Sequence, residues 1–238
     1  MRIMTFNTQH CLDYLNQRID FELMAGVIRE SGAAIVGLNE MRGAGELAGY
    51  TDQTATLSAL SGLEHFYFAK AIDVGGKKAP YGNALLSRYP IEQAETIPIP
   101  DPRHIPAGNR SYETRCLLKA RLSCGLTVIV THFGLNPDEQ ENAVRTVLEN
   151  LEDERCILMG DFNVVPENPV LLPIREKLVD AATLFDEEKG SYPSDKPDRK
   201  IDYIFVTPDV KLVGADIPAI VASDHRPHTA EVDLHKAK

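Results

Sequence analysis

Gly160-Asp161-Phe162-Asn163 follows the apolar run Cys156-Ile157-Leu158-Met159. The apolar run predicts a buried strand. Because side chains alternate along a strand, Asp161 and Asn163 should project to one face and Phe162 to the other. A carboxylate and an amide at a strand end suit a phosphate or metal site at the rim of an α/β sheet. They suit equally an Asx turn that closes the strand, and this stretch alone favours neither interpretation.

The size and composition of the chain are those of an ordinary globular protein. It has 238 residues, of which 43% are apolar and 25% are charged. No domain boundary is visible, so we predict a single domain over residues 1–238. No apolar run is long enough to span a bilayer, and the first residues lack the layout of a signal peptide. We therefore expect a cytoplasmic protein, unless a leader has been removed, and a monomer.

Charge and cysteine usage narrow the function classes. The formal net charge is −10, whereas sequence-independent binding of a long nucleic-acid backbone needs clustered Lys and Arg. Nucleic acid is therefore not favoured as a partner, although metal-binding carboxylates would account for part of the negative charge. The four cysteines form no CxxC pair. This spacing favours reduced, buried cysteines over a zinc site.

The two halves of the chain share one layout, strand–helix–strand. In the first half, a strand ends at Asn7, a helix is predicted over residues 19–31, and a strand ends at Asn39-Glu40. In the second half, a strand ends at Thr131-His132, a helix begins at Asn136-Pro137, and a strand ends at Asp161. Further strands are predicted at residues 66–72, 83–88, 95–99, 113–123, 126–131, 202–206, 210–220 and 229–234.

Polar residues recur at the predicted strand ends and in the last loop. They are Asn7, Glu40, His132, Asp161, Asn163, Asp202, Asp224 and His225. Each has an ordinary structural interpretation: turn residues for the asparagines, a solvated charge for Glu40, a core histidine for His132. Asp202 could pair with Lys200 or Arg199 on the surface. These interpretations do not explain why such residues recur at the loop-facing ends of the strands.

Chemistry suggests how these residues could act together. Mg²⁺ takes oxygen ligands, usually one or two carboxylates with phosphate oxygens and water. Glu40, with Asn7 and Asp224, suits that role. A nucleophilic water needs a base and an orienting group, which Asp161 and Asn163 can provide. A histidine held by a carboxylate can donate to phosphoryl oxygens as charge builds; His225 with Asp202 fits, and His132 offers a second donor.

The motifs, taken in order, resemble the endonuclease/exonuclease/phosphatase superfamily, which includes DNase I-like nucleases, abasic-site endonucleases, sphingomyelinases and inositol-phosphate phosphatases. The resemblance rests on Met4-Thr5-Phe6-Asn7, Gly37-Leu38-Asn39-Glu40, Gly82-Asn83-Ala84-Leu85-Leu86-Ser87, Glu113-Thr114-Arg115, Thr131-His132-Phe133, Gly160-Asp161-Phe162-Asn163, Ile201-Asp202-Tyr203-Ile204 and Ser223-Asp224-His225-Arg226-Pro227. Each motif alone is weak evidence, but all of them in the family's order are strong evidence.

The resemblance implies a four-layer α/β sandwich, with two mixed β-sheets packed face to face and helices outside. It also implies hydrolysis of a phosphoester with Mg²⁺ or Mn²⁺. Site residues follow by their matching positions: Glu40, Asn7 and Asp224 at the metal; Asp161 at the attacking water; Asn163 at the transition state; His225 oriented by Asp202; and His132, supported by Arg115, at the phosphate or leaving group.

Two departures point away from the abasic-site branch. That branch carries an acid where this chain has Gln9, and usually Tyr where it has His132. The chain also lacks long insertions. We therefore expect a hydrolase of a small, nucleotide or lipid-derived phosphoester, with a DNA or RNA nuclease as the alternative and a non-catalytic binding protein as the rival class. Specificity is expected in the loops 41–62, 101–109 and 186–199. His225, predicted in a loop, is expected to be removable without loss of melting temperature.

Overall fold

Strands dominate the fold. The computed structural model describes residues 1–76, 78–103 and 112–234. In chain order its strands are β1 (Arg2–Asn7), β2 (Leu12–Asp13), β3 (Arg18–Ile19), β4 (Ile35–Arg42), β5 (His65–Asp73), β6 (Pro80–Ser87), β7 (Ile91–Pro98), β8 (Cys116–Leu122), β9 (Thr127–His132), β10 (Cys156–Asp161), β11 (Val179–Asp180), β12 (Asp202–Val206), β13 (Lys211–Asp216) and β14 (His228–Asp233). The α-helices are α1 (Phe21–Ser31), α2 (Gln53–Ser61), α3 (Pro137–Asn150) and α4 (Leu172–Arg175). None of the described helices is long and apolar enough to cross a membrane.

The strands form two six-stranded sheets and a small hairpin. The first sheet has the order β13-β14-β1-β4-β6-β5 and the second the order β11-β12-β10-β9-β8-β7. Each contains one parallel pair, β1 with β4 and β9 with β10, while the other neighbours are antiparallel. A parallel pair needs a crossover connection, which α1 and α3 provide. The repeated strand–helix–strand layout and the mixed sheets are confirmed.

Three groups of buried apolar residues define four layers. The first lies between the sheets and includes Ile3 and Leu85 from one sheet and Val130 and Ile157 from the other. The second packs α1 and α2 on the outer face of the first sheet. The third packs α3 and α4 on the outer face of the second sheet. Both sheets are therefore buried on two faces, which explains the continuous apolar runs of β9 and β10.

The helix boundaries follow from their caps. Asp20 caps α1 by accepting from the Leu23 amide, and Gly32 ends it in the left-handed conformation. The helix begins two residues later than predicted because Ile19 pairs with Leu12 in the β2–β3 hairpin. The predicted start of α3 at Asn136-Pro137 is present, with Pro137 in the first turn and a capping box formed by Asn136 and Glu139. Of the loops expected to set specificity, residues 104–109 lie outside the described part of the chain.

Gly160 allows β10 to approach β9 closely. Its φ is +146°, and a Cβ atom built there would lie 1.8 Å from the Thr131 carbonyl oxygen. Gly160→Ala should therefore lower the free energy of unfolding by roughly 3 kcal/mol or more, measured by denaturant unfolding. Gly32→Ala is the matched control: it also changes a positive-φ glycine, but has no atom within 4 Å, so it should cost only about 1–2 kcal/mol. Equal losses would show that close strand packing is not the cause.

Candidate active site

The carboxyl ends of the two parallel pairs meet at one rim of the sandwich. Within the sheets, Asn7 lies opposite Asn39, and Asp161 lies between His132 and Asp202. Asn7 joins the two sheets, because its Nδ2 donates to Glu40 Oε1 at 3.2 Å and to Asp161 Oδ2 at 3.0 Å. Residues distant in sequence therefore share one polar rim.

A β-bulge in β4 turns Glu40 toward this rim. The pairing of β4 with β6 shifts between Leu38 and Met41, and both of these side chains pack in the outer apolar cluster. Two residues, Asn39 and Glu40, therefore lie between two outward-facing side chains, where strict alternation would place one. Glu40 accommodates the extra residue by adopting a left-handed backbone conformation, with a φ of 62°. Bulges commonly re-aim side chains next to active sites, and this one directs Asn39 and Glu40 away from the outer cluster.

Asp161 serves the Asx turn and the site with different oxygens. Its Oδ1 accepts from the Asn163 amide at 2.9 Å, which is the Asx turn. Its Oδ2 accepts from Asn7 and lies 3.5 Å from His132 Nε2 and 3.6 Å from His225 Nε2. The Asx turn is therefore confirmed, whereas the phosphate or metal site stays a prediction. Phe162 projects to the opposite face and packs in the core, where its ring centroid lies 4.4 Å from that of Phe133.

Both ring nitrogens of His132 lie next to N–H donors. Arg115 Nη1 lies 3.1 Å from His132 Nδ1, and a guanidinium can only donate, so Nδ1 accepts and the neutral ring carries its proton on Nε2. Burial lowers the pKa of His132 well below its usual value, and the Arg115 and His225 charges lower it further. Asn163 Nδ2, which donates to the Phe133 carbonyl, lies 3.1 Å from Nε2. With the proton on Nε2, this contact is between two donors rather than a hydrogen bond, and an anionic oxygen placed beside both could accept from each.

His225 is buried and paired with Asp202. The Nδ1–Oδ2 distance is 2.8 Å, and His225 and Asp202 are 4% and 0% exposed. Burial lowers the pKa of His225, but the carboxylates of Asp202 and Asp161 outweigh it and raise the pKa to about 10. The imidazole is therefore charged at neutral pH, with Nε2 directed toward Asp161. Asp202 therefore does not form the surface ion pair that the sequence suggested. The sequence also suggested that His225 could be removed without loss of melting temperature, but that expectation assumed an unburied loop residue.

Negative charge accumulates around Glu40 and Asp224. Burial raises the pKa of Asp224, the His225 charge opposes this, and the Glu40 carboxylate raises it again. Burial also raises the pKa of Asp161, to about 7. A set of crowded carboxylate oxygens is the chemistry that a hard divalent cation prefers, so the donor set fits Mg²⁺ or Mn²⁺.

A second group of potential metal ligands lies close to the Glu40 and Asp224 carboxylates. Among the described residues, the group whose ligand atoms all lie within 4.8 Å of one another is Asp161, Asp202 and His225. We interpret it as a hydrogen-bonded group, because the 2.8 Å bond occupies His225 Nδ1 and the protonated ring cannot bind a metal. Glu40 and Asp224 do not belong to this cluster. A site with only these two carboxylates is still compatible with Mg²⁺, because this ion retains several waters.

Several residues at the rim were not chosen from the sequence. Asn39 contacts both sheets, the Glu40 carboxylate helps burial to raise the pKa of the Tyr81 hydroxyl, and the Tyr192 ring lies 4.8 Å from the His225 ring. A buried amide inside an apolar strand was a usable signal for Asn39, since such groups need partners. Tyr81 and Tyr192 had no comparable signal, because only the tertiary fold brings them to the site.

A family model described as the endonuclease/exonuclease/phosphatase family matches residues 4–225. Among proteins with curated descriptions, none matches.

Solved structures of similar fold span nearly the whole chain. An endonuclease/exonuclease/phosphatase from Beutenbergia cavernae is 25% identical with a TM-score of 0.78, covering 98% of this chain and 71% of its own. A mannosyl-6-phosphatase from Bacteroides thetaiotaomicron is 16% identical with a TM-score of 0.75, covering 98% and 99%. A humanized TDP2 from D. rerio is 15% identical with a TM-score of 0.68, covering 98% of each chain. The last two similarities concern the fold.

Proposed function

The chain belongs to the endonuclease/exonuclease/phosphatase family, and we propose that it is a divalent-metal-dependent hydrolase of a small, nucleotide or lipid-derived phosphoester. The observation that carries the proposal is the environment of Asp161 Oδ2. This oxygen lies 3.0 Å from Asn7 Nδ2, 3.5 Å from His132 Nε2 and 3.6 Å from His225 Nε2. A buried base surrounded by N–H donors suits attack of water on a phosphoester.

Asp161 is the proposed general base. Its raised pKa, about 7, lies near neutral pH, where a base is both ionised and able to take a proton. The water proton passes to Oδ2 while the water oxygen attacks phosphorus. The bond between phosphorus and the leaving oxygen breaks, and that oxygen takes a proton from solvent and departs as the alcohol. The Asx turn fixes the carboxylate through its other oxygen, so the base keeps its orientation.

The remaining polar groups are proposed to stabilise charge. His132 Nε2–H, Asn163 Nδ2 and the His225 imidazolium can donate to phosphoryl oxygens as negative charge develops there. Arg115 holds the required tautomer of His132, and Asp202 holds the charge of His225. Donors that are already oriented need no reorganisation when the reaction occurs.

Glu40 and Asp224 are proposed as the metal ligands, with Asn7 beside them. When bound, Mg²⁺ or Mn²⁺ would act as a Lewis acid that offsets charge on the phosphate and the leaving oxygen. Asn7 binds the Glu40 and Asp161 carboxylates through its two N–H groups. It therefore keeps the metal ligand and the base at a set separation.

Mg²⁺ should raise the melting temperature, because a ligand that binds only the native state stabilises it. At 100 times the dissociation constant the gain is about 2.7 kcal/mol, or roughly 5–10 °C for a chain of this size. Glu40→Gln should remove most of this shift, whereas Glu149→Gln, on the exposed side of α3, should retain it. A shift that Glu40→Gln leaves intact would place the ion elsewhere.

The function itself is tested by hydrolysis of bis-p-nitrophenyl phosphate and p-nitrophenyl phosphate with Mg²⁺ or Mn²⁺. Turnover that EDTA abolishes supports the proposal, and the preferred ester separates diesterase from monoesterase. Plasmid nicking at a comparable rate would favour the nuclease alternative, which the net charge of −10 disfavours. A folded protein that binds metal but turns over no phosphoester in a broad panel would favour a binding role.

A further inference from the structure

The Asn39 side chain connects the two sheets directly beneath the site. Its Nδ2 donates to the Thr131 carbonyl at 2.8 Å, and its Oδ1 accepts from the Asp161 amide at 3.0 Å. Thr131 and Asp161 belong to β9 and β10 of the second sheet, whereas Asn39 belongs to β4 of the first. Asn39 is fully buried. One side chain therefore ties the strand that carries Glu40 to the two strands that carry His132 and Asp161.

A second buried amide fixes the orientation of the first. Asn39 Nδ2 also donates to Asn83 Oδ1 at 2.8 Å, and Asn83 Nδ2 donates to the Cys116 carbonyl at 2.9 Å. Since Asn39 faces two acceptors on one side and one N–H donor on the other, its amide can adopt one orientation only. The pair Asn39–Asn83, called here the amide bridge, thus runs from β8 through β6 and β4 to the end of β10.

The amide bridge acts where the backbone ladders do not. Ladder hydrogen bonds hold each sheet together, but the two sheets meet through side chains, and apolar contacts between them are not directional. Asn39 also precedes the bulged residue Glu40, so the bulge and the bridge occur at the same point of β4. The hydrogen bonds of Asn39 therefore set the position of the Asp161 backbone relative to Glu40.

We propose that Asn39, oriented by Asn83, is a positioning residue that sets the separation of the water-activating Asp161 from the metal-binding end of the site. The inference rests on the proposed function for its kinetic consequence. It assigns Asn39 no contact with substrate or metal. Removing such an oriented support typically costs roughly 10- to 100-fold in activity. The loss should appear in kcat more than in KM, because misalignment affects the transition state more than binding.

The test compares Asn39→Ala and Asn83→Ala with Thr207→Ala. Thr207 is also buried, and its Oγ1 accepts from the Cys156 amide at 3.0 Å. Its Oγ1 also donates to the Cys156 carbonyl at 3.4 Å, so Thr207→Ala removes two buried hydrogen bonds to the same strand, β10, at the end away from Asp161. All three variants should have a lower melting temperature than the unmodified protein. Only the two asparagine variants should lose kcat, and their double variant should lose less than the product of the single effects, because they act in one chain of bonds.

The outcomes separate the inference from the proposed function. Equal kcat losses in Thr207→Ala and the asparagine variants, or unchanged kcat in both asparagine variants, would overturn the positioning role. If Asn39→Ala does not fold, Asn83→Ala decides. If the unmodified protein turns over no phosphoester, the proposed function fails, but a crystal structure of Asn83→Ala still decides the inference. The 3.0 Å contact of Asn7 with Asp161 should lengthen, and an unchanged contact would refute it.

Discussion

Asp161→Asn should lower kcat for the phosphoester about 10²- to 10⁴-fold, the range expected for loss of a general base. An asparagine keeps the shape and can still accept from the Asn163 amide, so the Asx turn survives. It cannot take a proton from water. KM should change little by comparison, because the N–H donors that face the phosphate remain in place.

The same change should also alter how the stability of metal-free protein depends on pH. Burial raises the folded-state pKa of Asp161 to about 7, above an unfolded value of about 3.9. A group with a raised folded pKa contributes stability below the unfolded pKa and loses it as the pH rises through the folded pKa. The contribution of Asp161 to stability should therefore fall between about pH 4 and 7, and Asp161→Asn should lack that contribution.

Asp209→Asn is the control for the kinetic effect. Asp209 is exposed and binds the Arg155 amide, just before the start of β10 and away from the site. It should keep kcat and melting temperature close to those of the unmodified protein. An Asp161→Asn variant that retains full activity would remove the base from the proposed mechanism.

His225→Ala should lose both activity and stability. The kinetic loss should again be about 10²- to 10⁴-fold, because the charged donor proposed to face the phosphate is removed. The structure adds a stability cost, because the change leaves the fully buried Asp202 carboxylate without its 2.8 Å partner. Breaking a buried ion pair from one side costs about 3–5 kcal/mol, measurable by denaturant unfolding.

A second substitution identifies the source of that cost. In the His225→Ala background, Asp202→Asn removes the unpaired charge, so the double variant should be more stable than His225→Ala but equally inactive. His65→Ala, on β5 and outside the site, controls for loss of a histidine. A His225→Ala protein of unchanged stability would mean that Asp202 is neutral or finds another partner.

Local sequence signals accounted for much of the fold. Apolar runs located β9 and β10, and the Asn136-Pro137 start located α3 within its capping box. The β2–β3 hairpin was not predicted, because two-residue strands carry no measurable period. The bulge at Glu40 also has no sequence period of its own, since it depends on which strand pairs with β4.

The nine site residues came from two kinds of sequence information. Recurrence of polar residues at strand ends located Asn7, Glu40, His132 and Asp161, which the structure brings to one rim. The same recurrence included Asp202 and His225, which chemistry paired, and the order of family motifs added Arg115; both contacts are present as hydrogen bonds. Their catalytic and metal-binding roles stay predictions until the variants are measured.

The sequence by itself determined the strand–helix–strand repeats, the apolar layers and the residues that end at the polar rim, because periodicity and caps act over a few neighbouring positions. Only the tertiary structure decided that His225 is buried and charged, that Asp161 divides its two oxygens between a turn and the site, and that Asn39 ties the sheets together. Burial, charge and hydrogen-bond partners depend on groups far apart in the chain, and distance in space is set by the packing of the two sheets.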